Sequence, residues 1–251
     1  MSSSATKRIN PKPIKILNRS EYQYLEGPES RISEFWFALK VFFQFLKGFR
    51  TLHFVGPCIT VFGSARFKEG HMYYEKAREM GKAIAESGFT TMTGGGPGIM
   101  EAANRGAFEN NGRSVGVNIQ LPHEQFPNPY MHTHVTLKYF FVRKVLLLKY
   151  SYAFVVLPGG WGTMDELFET LTLVQTGVIE GFPVVLIGKD YYAQLMDYLH
   201  FMEDQKTISS EDLKLVLLTD DINEAMTHIR SYILDNYEVK SRRKPKWWLF
   251  E

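Results

Sequence analysis

The chain has 251 residues, of which 45% are hydrophobic and 14% aromatic, so it can bury a sizeable core and is not mainly disordered. Its 29 Lys and Arg residues nearly balance 27 Asp and Glu residues. A net charge of +2 is too small to indicate nucleic-acid binding by the protein as a whole. The lone cysteine, Cys58, excludes an intrachain disulfide and a cysteine-based zinc site. We therefore expect a cytoplasmic protein.

The N-terminal region divides into a polar arm and an amphipathic segment. Residues 1–27 are polar and lack the apolar stretch that a signal peptide requires. From Ile32 to Phe49, large apolar residues recur at intervals of three and four, which predicts an amphipathic helix. Charged residues interrupt this segment too often for a membrane span of about 20 apolar residues. We expect the helix to pack on the domain or on a second subunit, and a helix on a membrane surface is the alternative.

From residue 56 to residue 236, short apolar or β-branched runs alternate with longer helical patterns, which indicates βαβ units and a parallel sheet. Several strands are continuous apolar runs, as expected where helices cover both faces of a sheet. The prediction is an α/β fold: a doubly wound, Rossmann-like open parallel sheet with helices on both faces and an N-terminal helical extension. In chain order the predicted strands are 58–62, 89–93, 114–119, 135–138, 153–157, 184–187 and 215–218, and the helices lie near 71–87, 98–110, 140–150, 163–177, 190–205 and 221–236.

Glycine-rich turns follow three of these strands, at residues 61–66, 93–101 and 157–166. Open parallel sheets bind ligands beyond the carboxyl ends of their strands, so these turns are candidate binding sites. Glycine permits positive φ and close approach to a ligand, and a helix N-terminus offers N–H groups to a phosphate. The alternative is a set of tight turns that bind nothing. Two such turns that open helices at parallel strand ends favour phosphate binding.

The sequence excludes the common nucleotide motifs. A P-loop requires Gly-Lys-Ser/Thr, but the Gly-Lys pair at 188–189 is followed by Asp190. The dinucleotide fingerprint fails because Ile99 and Asp165 occupy its third glycine positions, and Asn118 stands where a ribose-binding acid is expected. NAD and ATP are therefore disfavoured, and a mononucleotide or sugar phosphate remains.

The third turn carries the most specific pattern. Residues 158–166 match Pro-Gly-Gly-x-Gly-Thr-x-x-Glu without a gap. Three companions precede it in order: Gly-Ser at 63–64, Gly-Gly-Gly-Pro-Gly-Ile-Met-Glu at 94–101 and Arg-Lys at 143–144. With these motifs the chain resembles, over about residues 57–229, the LOG (Lonely Guy) family, whose members were long labelled possible lysine decarboxylases. The arm and the tail lie outside the similarity, so the chain resembles a longer branch of the family.

The resemblance implies a phosphoribohydrolase, in which water cleaves the N-glycosidic bond of a nucleoside 5′-monophosphate to free base and ribose 5-phosphate. Cytokinin nucleotides or AMP are the implied substrates, and the implied assembly is a homodimer or larger homo-oligomer, with no cofactor and no metal. The decarboxylase label gains no support, because no lysine stands out as a pyridoxal-phosphate ligand. The rival hypothesis is a non-catalytic nucleotide- or molybdenum-cofactor-binding module of the same fold.

The family match also assigns roles to individual residues. Glu166 is the expected catalytic carboxylate, which stabilises the cationic ribose and orients or deprotonates water. The alternative is an acidic residue that merely favours a helix start. Arg143 is the expected catalytic arginine, and the alternative is a solvent-facing position on its helix. A zinc site at the His132-x-His134 pair lacks a third ligand. The substrate-binding candidates are Gly63, Ser64, Gly94, Gly95, Gly96, Met100, Glu101, Lys144, Gly159, Gly160, Gly162 and Thr163, with Arg66 at the border of the nucleotide.

We accordingly divide the chain into an N-terminal arm and helix (1–50), a Rossmann-like nucleotide-binding catalytic domain (51–238) and a basic aromatic tail (239–251). The tail mixes four cations with three aromatic residues from position 241 onward. Docking on a neighbouring subunit is the expected role of the tail, and membrane or nucleic-acid binding is the alternative.

Overall fold

A computed structural model describes residues 27–121, 127–180 and 182–236 of the chain. It confirms the predicted α/β architecture, with seven parallel strands in the described residues. The elements are α1 (Arg31–Leu52), β1 (Cys58–Phe62), α2 (Met72–Glu86), β2 (Thr90–Thr93), α3 (Ile99–Glu109), β3 (Ser114–Ile119), β4 (Thr133–Leu137), α4 (Phe140–Lys149), β5 (Ser151–Val156), α5 (Trp161–Gln175), β6 (Val184–Ile187), α6 (Lys189–Asp204), α7 (Ser210–Leu213), β7 (Val216–Thr219) and α8 (Ile222–Asn236).

The sheet grows in two directions from its first strand. The strand order is β4-β3-β2-β1-β5-β6-β7, so the chain builds outward from β1 to β4 and then crosses back to place β5 on the other side of β1. In open α/β sheets, ligands bind at the carboxyl ends of the strands where this order reverses. Here the order reverses between β1 and β5. Because β2 is the other neighbour of β1, the glycine turns that follow β1, β2 and β5 lie together at the carboxyl edge of the sheet.

Helices cover both faces of the sheet, as the continuous apolar strands predicted. Side chains of β1 alternate between the two faces: Cys58 and Phe62 join one buried cluster, and Ile59 and Val61 join the other. The first cluster packs against α1, α4 and α5, and the second packs against α2, α3 and α8. This sandwich holds the glycine turns at fixed positions above the strand ends.

The boundaries differ from the prediction where polar residues hide a pattern. β4 begins at Thr133 rather than residue 135, because an edge strand tolerates half-exposed polar residues while pairing with β3. The four-residue helix α7 was not predicted; Ser209 and Asp212 form a capping box there, but the helix is too short for a periodic pattern. The domain boundary proposed after residue 50 falls inside α1, which ends at Leu52.

The helix α1 docks on the open edge of the sheet through one of its faces. Gly48 is buried against Leu146 of α4, where an added Cβ would come within 2.2 Å of the leucine Cδ1. The Lys47 Nζ donates to the Thr136 carbonyl at 2.8 Å, and Gln44 accepts the backbone N–H of Lys138. None of the helices in the described ranges is both long and apolar enough to cross a bilayer. The tail at 239–251 and the arm up to residue 26 lie outside the described residues.

Candidate active site

An open cavity of about 630 Å³ lies at the carboxyl edge of the sheet, within the range typical of small-ligand sites. All three glycine turns contribute to its lining. The sequence-predicted residues that the structure brings to this cavity are Gly63, Ser64, Arg66, Gly94, Met100, Arg143, Gly159, Gly160, Gly162, Thr163 and Glu166.

The turn between β5 and α5 is oriented by hydrogen bonds to its carbonyl groups. The Pro158 carbonyl accepts the backbone N–H of Ser64 at 2.9 Å, and the Gly159 carbonyl accepts the Tyr191 hydroxyl at 2.7 Å. The C=O and N–H of a trans peptide unit point in opposite directions. These bonds therefore turn the N–H groups of Gly159 and Gly160 away from Ser64 and Tyr191. One residue earlier, the Tyr192 hydroxyl holds the Leu157 carbonyl at 2.9 Å.

The start of α5 is open to an anion. Gly160 is the N-cap and supplies no side-chain cap, and its carbonyl accepts the N–H groups of Thr163 and Met164. A Cβ added at Gly160 or Gly162 would meet nothing within 4 Å, so the approach to the first turn is clear. Uncapped N–H groups and the helix dipole together favour a phosphate at this position.

The turn between β2 and α3 contributes less to the cavity than predicted. The Gly95 N–H donates to Thr93 Oγ1, and the carbonyls of Gly95 and Gly96 accept hydrogen bonds from the backbone and the side chain of Asn128. Gly94 lines the cavity, but Gly95 and Gly96 do not. Gly95 has a φ of +73°, so the backbone conformation of the turn accounts for that glycine.

The start of α3 is occupied by the chain itself. The Ile99 N–H donates to the Ser64 carbonyl at 3.0 Å, and a Cβ on Gly98 would come within 2.4 Å of the same oxygen. The first and second glycine turns therefore bind each other. Both helix starts that were predicted to hold phosphate reach the cavity, α3 through Met100, but the first N–H of α3 is already bonded to Ser64.

Two other predicted residues lie away from the cavity lining. Glu101 accepts the Tyr74 hydroxyl at 3.2 Å. Lys144 pairs with Asp165 at 3.1 Å and with Glu169 at 3.0 Å, between α4 and α5. Adjacent residues of a helix point about 100° apart, so Lys144 faces the acids of α5 where Arg143 faces the cavity. The structure thus does not bring Glu101 or Lys144 to the site.

Arg143 and Glu166 form a buried pair beside the open helix start. The Arg143 Nη1 lies 3.5 Å from Glu166 Oε1, and the two side chains are 13% and 7% exposed. The Arg143 Nε also donates to the Val117 carbonyl at 2.9 Å, which fixes the plane of the guanidinium. A Cβ on Gly94 would come within 2.2 Å of Arg143 Nη2, so a glycine at this position allows the guanidinium to lie over the turn.

The buried pair has unusual protonation behaviour. Burial raises the pKa of Glu166 to about 7, against the opposing effect of the Arg143 charge. Burial also lowers the pKa of Arg143, and Glu166 opposes that shift. A guanidinium stays protonated in proteins, so the carboxyl is the group of this pair that titrates near neutrality. A carboxyl with such a pKa in a cavity is a candidate acid–base group.

Sequence reasoning missed much of the cavity wall. Tyr191 belongs to no glycine motif, and the strand order is what places the start of α6 beside the β5 turn. Trp161 fills the variable position of the 158–166 pattern and is 93% exposed at the cavity. Asn118 is the penultimate residue of β3, and its signal was its position near the carboxyl end of a strand. The apolar part of the wall comprises Phe62, Phe67, Ile119, Leu121 and Phe140.

The fold and site define a Rossmann-type α/β protein with an uncapped helix start beside a buried carboxyl–guanidinium pair. The family model described as "Possible lysine decarboxylase" matches residues 100–229. A protein of Rhodococcoides fascians named "Cytokinin riboside 5'-monophosphate phosphoribohydrolase" is 32% identical over 179 residues, which cover 69% of this chain and 89% of that protein. The chain therefore belongs to this family, the LOG family.

Other similar proteins agree on the fold. The "Cytokinin riboside 5'-monophosphate phosphoribohydrolase LOG" of Oryza sativa subsp. japonica is 26% identical over 181 residues, which cover 70% of this chain and 73% of that protein. Among solved structures, the Moco carrier protein from Chlamydomonas reinhardtii has a TM-score of 0.53 and 25% identity, covering 72% of this chain and 99% of that one. The molybdenum cofactor binding protein from Rippkaea orientalis has a TM-score of 0.53 at 20% identity, covering 70% and 96% of the two chains.

Proposed function

We propose that the protein hydrolyses the N-glycosidic bond of a purine nucleoside 5′-monophosphate, of the cytokinin type or AMP, to free base and ribose 5-phosphate. The observation that carries this proposal is the buried Arg143–Glu166 pair, which lines the same cavity as the uncapped start of α5. A protein that only carries a nucleotide needs the anion site but no titrating carboxyl beside it. The names of the relatives support the same reaction.

The chemistry assigns a separate task to each part of the site. The N–H groups of residues 159–162 and the Thr163 hydroxyl hold the phosphate. The C1′–N bond breaks with its electron pair moving to the base, and positive charge builds on the ribose. Ionised Glu166 stabilises that charge and accepts a proton from the water whose oxygen bonds to C1′. Arg143 favours the ionised form of Glu166 and orients it. The departing base takes up a proton from solvent, and Glu166 releases to solvent the proton that it took from the attacking water, which restores the carboxylate.

The second candidate is a non-catalytic carrier. The likeness to the Chlamydomonas reinhardtii Moco carrier protein favours it, because that protein has the same fold. A carrier accounts for the open start of α5 but leaves the raised pKa of Glu166 without a use.

The proposal also includes the cellular setting. A free nucleotide substrate and a single buried cysteine fit the cytoplasm. We also propose a homo-oligomer, and no nucleic acid or metal is required for the reaction.

Base release from a panel of nucleotides tests the proposed function directly. We expect the purified protein to release free base from AMP or N6-isopentenyladenosine monophosphate in the presence of a metal chelator. Adenosine should stay intact, because it lacks the phosphate that the start of α5 would hold. Chromatography of the products separates base from nucleotide. Intact nucleotide across all purine and pyrimidine monophosphates, together with measurable nucleotide binding, would favour the carrier instead.

Replacing Tyr191 by Phe is expected to weaken phosphate binding without changing the chemistry. The variant loses the hydroxyl that holds the Gly159 carbonyl, and a hydrogen bond is worth about 1 kcal/mol, or roughly fivefold in affinity. We expect KM for the nucleotide and the inhibition constant of ribose 5-phosphate to rise together by about that factor, while kcat stays near the wild-type value. Steady-state kinetics measures all three.

Tyr198→Phe is the matched control, because Tyr198 lies on the same helix and is exposed to solvent. It should leave KM unchanged. An unchanged KM in Tyr191→Phe would show that the hydroxyl does not set the geometry of the turn.

A further inference from the structure

The outward side of α1 carries a continuous apolar surface. Its members lie three or four residues apart, and all but the half-buried Leu39 are between 38% and 72% exposed. Soluble monomers rarely expose contiguous apolar patches larger than a few hundred Å². We call this surface the outer stripe; it consists of Ile32, Phe35, Trp36, Leu39, Phe42, Phe43 and Leu46.

The outer stripe is not the surface by which α1 docks on its own domain. The opposite side of the helix packs against the core through Phe37, Val41, Phe45 and Phe49, and Gly48 and Leu52 are buried there. Polar contacts from α1 to β4 hold the same inward side. Docking is therefore complete while the outer stripe remains exposed in the part of the chain that the structure describes.

The outer stripe is symmetric about its central residue. Relative to Leu39, its members stand at −7, −4, −3, +3, +4 and +7, and no charged residue falls within it. If a second α1 runs antiparallel across a two-fold axis at Leu39, every apolar position meets an apolar position. Ile32 then faces Leu46, Phe35 faces Phe43 and Trp36 faces Phe42. Such self-complementarity is what a two-fold interface requires.

We propose that a second copy of this chain covers the outer stripe, through antiparallel pairing of the two α1 helices about Leu39. Spacings of three and four residues are those of paired helices. This inference specifies an interface of the homo-oligomer proposed above and does not depend on the proposed reaction, because α1 precedes residues 100–229, which the family model matches.

The size of the outer stripe is sufficient for a stable interface. A large aromatic side chain buries about 150–250 Å², so half-exposed residues of this kind leave roughly 100 Å² each to be covered. The six exposed members then supply roughly 600 Å² per copy and about 1,200 Å² in the pair. Specific interfaces begin at about that size. The pairing would place Phe and Trp side chains, the residue types enriched at interfaces, at its centre.

The molar mass in solution tests the proposal with the full chain. The double substitution Phe35→Glu with Phe43→Glu places like charges opposite each other across the two-fold axis. We expect the variant to have half the molar mass of the wild type by light scattering after gel filtration, with unchanged circular dichroism. The matched control is Tyr198→Glu with Phe201→Glu, two aromatic residues of similar exposure on α6, which should keep the wild-type mass.

A wild type that is monomeric, or an outer-stripe variant that keeps the wild-type mass, would overturn the proposal. Halving in the control variant would do the same. Sedimentation with phosphatidylcholine–phosphatidylserine vesicles examines the membrane alternative: binding of wild type but not of the outer-stripe variant, together with a monomeric wild type, would replace the second copy by a lipid surface.

Cysteine cross-linking tests the antiparallel direction. Cys58 is buried, so a cysteine introduced on α1 is the reactive one. A mixture of Phe35→Cys and Phe43→Cys chains should form a disulfide-linked dimer on mild oxidation, whereas Phe35→Cys alone should not. Cross-linking of Phe35→Cys alone would indicate a parallel pair and contradict the proposed axis.

Discussion

Substitution of Glu166 by Gln is expected to lower kcat for base release by about 10³-fold, because Gln keeps the shape of the side chain but neither accepts a proton nor carries charge. Glu166 is almost fully buried beside Arg143, so solvent does not replace the lost carboxylate. Binding of ribose 5-phosphate should stay close to wild type, since the proposed phosphate contacts lie at residues 159–163. Glu169→Gln, a more exposed acid on the same helix, is the control and should retain most activity.

The pH dependence gives a second measure of the same group. Burial raises the pKa of Glu166 to about 7, and the proposed mechanism uses the ionised form, so kcat/KM should rise as the pH rises through about 7. We call this rise of kcat/KM on the acidic side of the profile the acid limb. It should be absent in Glu166→Gln and present in Glu169→Gln. An acid limb that persists in Glu166→Gln would assign the titration to another residue.

The same shift affects stability with a definite sign. Because the pKa of Glu166 is higher in the folded protein than its ordinary value of 4.5, the stability that its protonated form contributes is present below about pH 4.5. That contribution is lost as the pH rises to about 7. The free energy of unfolding of the wild type, measured with urea, should therefore fall over this pH window relative to that of Glu166→Gln.

Substitution of Arg143 by Lys is expected to lower kcat by about 10²-fold or more, the usual cost of losing one preorganised charged donor. The guanidinium donates to the Val117 carbonyl and reaches Glu166 at the same time, and a single ammonium group cannot reproduce this fork. Arg143→Ala should in addition move the acid limb of kcat/KM to higher pH, because the cation that favours ionised Glu166 is gone.

Lys144→Ala is the matched control for Arg143, since the neighbouring cation faces Asp165 and Glu169 outside the cavity lining. It should lower kcat far less than Arg143→Lys does, because the ion pairs of Lys144 with Asp165 and Glu169 lie between α4 and α5 and not in the cavity lining. Removal of one partner from a buried pair costs about 3–5 kcal/mol, so circular dichroism must first establish that each Arg143 variant folds. Near-wild-type turnover in a folded Arg143→Lys protein would contradict the assigned role.

The sheet and the position of the cavity at its carboxyl edge were predictable because they depend on local signals. Apolar runs marked the strands, and glycine turns after β1, β2 and β5 marked the carboxyl edge. The boundary of β4 was less predictable, because its edge position lets Thr133 and His134 stay partly or fully exposed. Short capped elements such as α7 are too brief to show a period.

The division of tasks among the glycine turns was not predictable from the sequence. Gly96 and Gly160 look alike as residues of glycine-rich turns that open helices. Only the tertiary fold shows that Asn128 holds the carbonyl of Gly96, while Gly160 stands open at the start of α5. The hydroxyl of Tyr191 likewise comes from a distant helix that carries no motif. Long-range hydrogen bonds of this kind leave no local pattern.

The strand order, in which β1 pairs with both β2 and the much later β5, has a consequence for the newly made protein. The first two glycine turns belong to the early half of the chain, and the third arrives only when β5 inserts beside β1 and Ser64 meets Pro158. Closing so long a loop is among the slower events of folding. The proposed function therefore implies that a nascent chain cannot bind the nucleotide until its late half has left the ribosome. Once the halves join, a nucleotide that binds as proposed would selectively stabilise the finished protein.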